Sequence, residues 1–232
     1  MLTTETTEGL DSFLSTTYYS RVRFILQLMP LLTASPTRPG HVISVYAGGF
    51  EDGTKPGDWP VGLPSAESYG VTSVRKHTCF MTNFIFEELA ARHEGKLSLI
   101  HIYPGLVDGP AALGPDMPLW FRTLYRLMKP LMFFFMIKPA DCGQIMVHLS
   151  SDHYAPKGVE KDASGKPTAK GSDGKVGGGS YALGATADVN HKTLMYERMR
   201  QPETAQKVWD HTMETLARAE TGSAKADGSF SS

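Results

Sequence analysis

Two short apolar segments, separated by one long stretch without proline, set the strongest limit on how this chain can fold. The first segment, 41–46, is rich in β-branched residues and leads into a glycine turn, and the second, 96–103, leads into Pro104-Gly105. Between them, 68–92 contains no proline and carries apolar side chains at helical spacing. Two strands joined by a crossover helix form a βαβ unit with parallel strands and a right-handed connection. The sequence therefore predicts an α/β fold.

A further helix is predicted before the first strand. Asp11 suits the N-cap position, and the breaker that starts at Ser35-Pro36 ends the helical pattern. The apolar residues between them recur at steps of three and four: Leu14, Tyr18, Val22, Ile25, Met29 and Leu32. Residues 50–65 are rich in Gly, Pro and Asp, so we expect a long surface loop between the first strand and the crossover helix.

The second half of the chain is less regular. We expect 119–136 to form two short helical pieces that meet at Pro130, and Pro139 suits the first turn of a helix that runs to Ser150. A short strand is predicted at 181–183 and a helix at 203–216.

Too few strands are predicted for an independently stable parallel sheet, which has helices on both faces and more than two or three strands. The strand at 41–46 would then be an edge with unpaired backbone groups, unless another chain or a further segment covers it.

Composition and charge exclude several classes of protein. The chain is 41% hydrophobic and 20% charged, the proportions of a globular protein. Its net charge of −1 gives no general attraction to nucleic acid or to an anionic membrane. Two cysteines, Cys79 and Cys142, cannot make a disulfide framework, and the amino terminus does not look like a signal peptide, so we expect a cytoplasmic protein. The apolar window 119–137 contains three basic residues and a proline, so no membrane span is predicted.

Parallel α/β folds bind their ligands beyond the carboxyl ends of the strands, and both ends here carry notable residues. Ala47-Gly48-Gly49 follows the first strand, Tyr69 opens the next helix, and Tyr-Pro-Gly-Leu-Val at 103–107 follows the second strand. This arrangement resembles the carboxyl two-thirds of the short-chain dehydrogenase/reductase family. In four segments, the amino-acid sequence is most similar to a fungal branch of this family that is associated with secondary-metabolite pathways: 7–11, 18–21, 45–49 and 208–212.

The resemblance implies a partial Rossmann-like doubly wound parallel sheet that lacks the N-terminal nucleotide-binding strands. Residue 1 would fall where such a fold is already about 100 residues along, so we expect an N-terminally truncated chain. Residues 1–218 would form this partial domain. Within it, 156–180 has hardly an apolar side chain and is expected to be a flexible insertion, and 219–232 is expected to be a disordered tail.

The catalytic groups of the family carry over only in part. Its members transfer hydride between a nicotinamide and a carbonyl or alcohol. They use a tyrosine as acid or base, a lysine four residues later, a serine after the fifth strand and often an asparagine on the preceding helix. Tyr69 matches the tyrosine. The lysine position is Ser73, the serine position falls at about Ala47, and the asparagine position lies near Thr17. The resemblance therefore implies a degenerate active site.

Lys76 is the second candidate catalytic residue. A free tyrosine has a pKa near 10, so about one in a thousand is ionised at neutral pH. A nearby cation lowers this pKa and makes the ionised form easier to reach. Ser73 cannot supply this charge. Lys76 lies seven residues after Tyr69 on the same face of the predicted helix, about 10 Å along its axis. It either assists Tyr69 or is a solvated surface lysine.

For the cofactor, the resemblance implies that Pro104 and Gly105 bring the backbone close to a nicotinamide, with Val107 beside its carboxamide. The alternative is an ordinary strand-ending turn. The glycine-rich phosphate turn after a first strand does not precede the recognised portion, so NADP or NAD is expected only if the nucleotide-binding half is present, and this chain could bind none. The G-x-G-x-x-A match at 177–182 follows a polar run instead of a buried strand and indicates a loop.

The remaining candidates have plain structural alternatives. No pair among the eight histidines has metal-ligand spacing with a carboxylate partner, so no metal site is predicted, and His101 on the second strand is expected to be buried and hydrogen-bonded. The apolar segment 120–136 lies where the family places its substrate lid. It indicates either a hydrophobic substrate or ordinary core and interface packing.

These features predict an NAD(P)-dependent oxidoreductase similar to short-chain dehydrogenase/reductases, acting on a hydrophobic small molecule in fungal secondary-metabolite biosynthesis. Two alternatives use the same fold. One is a non-redox isomerase, dehydratase or cyclase that keeps the apolar pocket and Tyr69, and the other is a noncatalytic pseudoenzyme that interacts with another chain through the exposed sheet edge. No nucleic-acid partner is expected, and a homo-oligomer could form.

Overall fold

A computed structural model describes residues 4–47, 60–109, 113–115, 117–187 and 200–228, with side chains described as far as residue 222. The greater part of the predicted loop at 50–65 lies outside these residues, as does the end of the predicted tail. The elements that position the candidate site all lie within them.

A parallel sheet of three strands forms the centre of the fold. The strands are β1 (Gly40–Val45), β2 (Leu97–Ile102) and β3 (Ser180–Leu183), in the order β1-β2-β3. Val42 pairs with Leu99 in the β1–β2 register, and Leu99 pairs with Ser180 in the β2–β3 register. The predicted βαβ unit and the short third strand are confirmed. Within the described part of the chain, β1 is an edge strand, as predicted.

Helices account for most of the remaining described residues. In chain order they are α1 (Ser12–Leu14), a π-helical turn (Ser15–Tyr19), α2 (Ser20–Leu32), α3 (Val71–Arg92), α4 (Leu119–Met132), a 3₁₀ turn (Phe133–Phe135), α5 (Pro139–His148) and α6 (Thr204–Gly228). The predicted N-cap is confirmed, because the Asp11 carboxylate accepts the Leu14 N–H at 2.8 Å.

The two faces of the sheet pack against different elements, because successive strand residues point to opposite sides. Leu97 and Leu99 of β2 lie in a core cluster with residues of α2, α3 and α6. Ile100 and Ile102 lie in a second cluster with Leu149 at the end of α5 and with Tyr154. Helices on both faces of a parallel sheet make the fold doubly wound, and the partial Rossmann-like class is confirmed.

Pro130 does not divide α4 into two pieces, so that prediction is wrong. Pro130 lies two residues before the end of α4, and the 3₁₀ turn begins only at Phe133. Pro30 has the same position in α2. A proline so close to a helix C-terminus removes one late backbone hydrogen bond and leaves the earlier turns intact.

The polar segment 156–180 has a defined conformation, which differs from the flexible insertion that its composition indicates. Successive hydrogen-bonded turns cross it, and the Ala169 N–H reaches the His153 carbonyl at 2.8 Å. The Tyr181 hydroxyl of β3 donates to the Ala155 carbonyl at 2.6 Å. Composition indicates flexibility because few apolar groups can be buried, whereas here backbone and hydroxyl hydrogen bonds order the chain.

A hydrogen bond to Glu87 ties this segment to the crossover helix, and an ion pair between Glu87 and Arg200 reinforces it. Arg200 forms a two-pronged contact with the Glu87 carboxylate of α3, with one N–O distance of 2.7 Å. The Ser172 hydroxyl donates to the same carboxylate at 2.7 Å. The Arg200 guanidinium also donates to the Ser172 carbonyl. A paired charge with its remaining hydrogen bonds satisfied can be accommodated in a partly buried position.

Candidate active site

The candidate active site lies at the carboxyl ends of β1 and β2, which end side by side because Val45 pairs with Ile102. The Tyr46 N–H continues the ladder to the Ile102 carbonyl at 2.9 Å. Tyr46 and Ala47 therefore extend from β1 next to the turn that begins at Tyr103.

A buried polar network fixes the backbone of Ala47, near which the resemblance implies the family's serine position. The Ala47 N–H lies 3.4 Å from the His101 Nε2 atom, and the Cys79 thiol donates to the Ala47 carbonyl at 3.2 Å. The His101 Nδ1 atom lies 2.8 Å from the Asn83 side-chain oxygen. Since that oxygen can only accept, Nδ1 carries the proton and Nε2 is the acceptor for Ala47. His101 is thus the buried, hydrogen-bonded residue that the sequence predicts.

Burial of His101 makes the stability of the fold depend on pH. Full burial, with a smaller contribution from Arg21, lowers the pKa of His101 to about 3, below its ordinary value of 6.5. Below pH 6.5 the unfolded chain binds a proton that the folded chain refuses, so stability falls with decreasing pH. Through this group alone, the free energy of unfolding is expected to drop by about 1.4 kcal/mol between about pH 7.5 and about pH 5.5 in urea titrations.

Two variants isolate this contribution. His41, His93 and His211 also have lowered pKa values, so they add to the slope of the parent protein. His101→Gln should remove its own part of the slope, whereas His153→Gln, at an exposed position, should leave the slope unchanged. Equal slopes in the parent and in His101→Gln would contradict the assignment.

Tyr69 lies just before α3 and is paired with an acid. Its hydroxyl donates to the second oxygen of the Asp11 carboxylate at 2.7 Å, while the first oxygen caps α1. This hydrogen bond, followed by desolvation, raises the pKa of Tyr69 above its ordinary value. The arrangement keeps the phenol protonated, which suits a proton donor better than a base.

Lys76 and Ser73 lie on α3, but Tyr69 does not, because the helix begins at Val71. Tyr69 and Lys76 were expected on the same helix face, which requires both residues to be helical. Because Tyr69 precedes the helix, their spacing in the sequence does not place them on one face. Lys76 is half-buried, and the structure gives it no contact with Tyr69. The structure thus brings Tyr69 to Asp11 instead.

A second tyrosine, Tyr46, is closer to the strand ends and was missed by the sequence reasoning. The Arg21 guanidinium lies 5.2 Å from the centre of its ring, and the His101 ring stacks on it at 6.5 Å. Burial raises the pKa of Tyr46, and the hydroxyl of Thr17 together with the nearby arginines Arg75 and Arg21 opposes this rise. The available signal was the position of Tyr46, directly after a strand that leads into a glycine turn.

The turn after β2 joins the strand ends to the apolar segment. The Ile137 N–H donates to the Leu106 carbonyl at 2.8 Å, and the Asp108 N–H donates to the Ile137 carbonyl at 2.9 Å. Val107 and Ile137 thereby form a parallel bridge. The structure thus places Pro104, Gly105 and Val107 together at the base of the segment 117–138.

Gly105 is required by this packing. Its φ of +74° is a conformation that favours glycine, and a Cβ atom there would lie 2.5 Å from Ile137 Cδ1 and 2.9 Å from Ala185 Cβ. The side chains of Ile137 and Ala185 therefore pack directly against the Gly105 backbone, and this packing explains the glycine without a bound ligand.

The described residues supply no complete site for a dinucleotide. The glycines at 177–179 lead into β3 instead of a helix, and a Cβ atom on Gly179 would collide with the backbone of Lys157. The Gly179 carbonyl accepts the Leu99 N–H, and the Gly177 N–H donates to the Ala169 carbonyl, so this run serves packing. A pyrophosphate cradle needs free N–H groups at a helix N-terminus after a strand, and these residues do not fit that requirement.

The described residues contain no group of three or more His, Cys, Asp or Glu side chains arranged to hold a metal ion. In the same part of the chain, no helix combines the length and the apolar character needed to cross a membrane.

A parallel sheet with helices on both faces, whose polar side chains gather at the carboxyl ends of the strands, defines an open α/β protein of the Rossmann-like class. No family model matches the chain. It is 54% identical over 217 residues to the short-chain dehydrogenase/reductase SAT2 of Stachybotrys chartarum, a match that covers 91% of this chain and 60% of that protein.

Two further relatives are named oxidoreductases. AN1596 of Emericella nidulans is 38% identical over 93% of this chain and 64% of its own length. The oxidoreductase andH of Emericella variicolor is 34% identical over a match that covers 95% of this chain and 65% of that protein. The chain thus spans less than two thirds of the length of the relatives it matches. These matches confirm the resemblance: the chain is similar to a protein named short-chain dehydrogenase/reductase and to two proteins named oxidoreductases, all three from fungi.

Proposed function

We propose that this chain carries the substrate-binding and proton-transferring part of an NAD(P)-dependent oxidoreductase of the short-chain dehydrogenase/reductase type. Its substrate is a hydrophobic small molecule of fungal secondary metabolism. The observation that carries the proposal is the 54% identity to a protein named short-chain dehydrogenase/reductase, over 91% of this chain. The parallel strand ends supply the matching location for the chemistry.

The apolar segment supports a hydrophobic substrate. It begins in α4, and its end at Ile137 is hydrogen-bonded to the turn that contains Leu106 and Asp108. Lys129 of α4 also forms an ion pair with Asp108 at 2.8 Å. Half-buried Phe121 and Tyr125, whose rings stack 6.4 Å apart, lie on the less exposed side of α4. Aromatic side chains beside a strand-end turn are suitable walls for an apolar ligand.

In this proposal Tyr69 exchanges the proton with the substrate oxygen. Its hydroxyl keeps its proton at neutral pH, because it donates a hydrogen bond to the Asp11 carboxylate and this raises the pKa of Tyr69. Lys76 assists electrostatically, and Pro104, Gly105 and Val107 line the nicotinamide end. The pyrophosphate would need the nucleotide-binding half, which the described residues do not supply. We further propose a cytoplasmic location and a homo-oligomer that uses the β1 edge.

One set of observations favours a non-redox catalyst instead. Ser73 and Ala47 stand at the lysine and serine positions, and the pKa of Tyr69 is raised, whereas lysine-assisted hydride transfer requires a lowered one. An isomerase, dehydratase or cyclase would need only an apolar binding site for its substrate and one proton-transferring tyrosine. A noncatalytic pseudoenzyme would need neither.

Nucleotide binding separates these functions. If the redox proposal holds for this chain, the nicotinamide end at 104–107 must bind the cofactor. Isothermal titration with NADPH and with NADH should then show saturable binding at or below millimolar concentration, together with a raised melting temperature. Val107→Asp should weaken that binding, whereas Val159→Asp, on the polar segment far along the chain, should not. If neither nucleotide binds, the redox proposal fails for this chain. Nucleotide-free conversion of an apolar substrate would then support the non-redox alternative, and its absence would support the pseudoenzyme.

A further inference from the structure

An exposed apolar ridge runs along α4. Trp120, Leu124, Leu127 and Leu131 recur at steps of four, three and four residues, so they share one face of the helix. Each of these side chains is exposed, from 49% for Leu124 to 76% for Leu127. Scattered surface leucines are ordinary, but an unbroken apolar face that includes a tryptophan indicates an interaction surface.

The ridge continues beyond the helix into the 3₁₀ turn. Phe133, Phe134 and Phe135 are all exposed, and Phe134 reaches 86%. The helix and the turn together place seven large apolar side chains on the outside of the molecule. We call these seven side chains the outer ridge: Trp120, Leu124, Leu127, Leu131, Phe133, Phe134 and Phe135.

The rest of the segment holds the outer ridge in place. Lys129 of α4 is paired with Asp108, and Ile137 is hydrogen-bonded to the turn after β2 on both its N–H and its carbonyl. The half-buried aromatic residues Phe121 and Tyr125 lie on a different face of α4 from the ridge. The ridge thus belongs to an anchored helix that turns an apolar face outward.

The charge around the ridge is positive. Residues 117–138 contain four basic side chains and no Asp or Glu, although the whole chain has a net charge of −1. Arg126 and Lys138 are exposed, and Lys129 forms an ion pair with Asp108. The nearest acidic residues in the sequence are Asp116 and Asp141, just outside this range. Attraction to an anionic surface would therefore act locally at this ridge.

We propose that the outer ridge docks on the surface of a lipid bilayer that contains anionic phospholipids. A helix of 14 residues is about 21 Å long, too short to cross the hydrocarbon core but long enough to lie flat in the interface. Leucine, phenylalanine and tryptophan on one face with Arg and Lys beside them are the composition of interfacial helices. The apolar groups enter the acyl boundary, and Arg126 and Lys138 remain at the level of the phosphates.

This docking does not depend on the proposed oxidoreductase activity. It would, however, bring the inner side of α4 next to a bilayer, where a hydrophobic substrate is concentrated. A second copy of the chain could also cover the ridge, but two facing ridges would bring their basic side chains together. A bilayer with anionic lipids complements both the apolar face and the charge.

Vesicle co-sedimentation of the chain tests the proposal. Vesicles of phosphatidylcholine with phosphatidylserine are expected to pellet the protein, and vesicles of phosphatidylcholine alone should pellet about tenfold less. Leu127→Glu combined with Phe134→Glu should lower the partition coefficient by about tenfold or more, because charged groups replace the inserted side chains. Arg126→Glu combined with Lys138→Glu should lower it by a similar factor on the anionic vesicles alone.

Matched variants give the controls. Leu31→Glu changes an exposed leucine of α2 with 75% exposure, and Lys166→Glu combined with Lys170→Glu reverses two exposed charges elsewhere, so both should bind like the parent. Circular dichroism checks that all variants keep their helices. No pelleting with anionic vesicles, or equal loss in the control variants, would overturn the proposal. Concentration-dependent dimerisation that Leu127→Glu abolishes, without vesicle binding, would assign the ridge to a second copy.

Discussion

Replacing Tyr69 by Phe is expected to lower the rate of NADPH-dependent reduction of apolar ketones by about a hundredfold or more, the usual contribution of a positioned proton donor. The phenyl ring keeps its packing against the core cluster of α2, α3 and α6. The lost hydrogen bond to Asp11 should cost about 1 kcal/mol of stability at most, so the protein stays folded. Absorbance of the reduced nicotinamide gives the rate, with a panel of aromatic and alicyclic ketones as substrates.

Tyr46→Phe provides the matched control. Tyr46 lies directly after β1, beside Arg21 and His101, and its replacement by Phe removes a phenol hydroxyl without affecting the hydrogen bond between Tyr69 and Asp11. If Tyr69 is the proton donor, Tyr46→Phe should retain most of the parent rate. The reverse result, with turnover lost in Tyr46→Phe and kept in Tyr69→Phe, would transfer the role to Tyr46. A parent chain without any turnover would contradict the oxidoreductase proposal itself.

The elements of this fold could be predicted from sequence because their signals are local. The two strands, the crossover helix and the Asp11 cap each depend on periodicity or on residues a few positions apart. Parallel pairing then followed from the length of the connection. The π-helical turn at Ser15–Tyr19 was not predicted, because one wider turn leaves the apolar spacing of the helix almost unchanged.

The candidate site was predicted less well, because its contacts join residues far apart in sequence. The position of the site at the strand ends follows from the parallel sheet, and His101 was correctly expected to be buried. The pairing of Tyr69 with Asp11 spans 58 positions, and no local pattern indicates it. The order of 156–180 likewise depends on distant partners such as Glu87, which composition does not report.

Removing the Glu87 carboxylate is expected to produce the largest loss of stability. In Glu87→Ala, the free energy of unfolding measured in urea should fall by about 3 kcal/mol, because the Arg200 guanidinium and the Ser172 hydroxyl both lose their acceptor. The two charged side chains are only 12% and 28% exposed, so water cannot replace the carboxylate fully. The 172–180 region would lose its tie to α3, and amide exchange there should accelerate.

An exposed pair of the same type shows whether burial is the cause. Glu203 lies just before α6 and its carboxylate is 3.5 Å from the Lys207 ammonium on that helix, and both side chains are more than half exposed. Glu203→Ala should therefore cost about 0.5 kcal/mol or less, since solvent screens such a pair. A double-mutant cycle of Glu87→Ala with Arg200→Ala should give a coupling energy of about 2 kcal/mol. Equal costs for the two glutamate variants, or a coupling near zero, would mean that the ion pair does not order the polar segment.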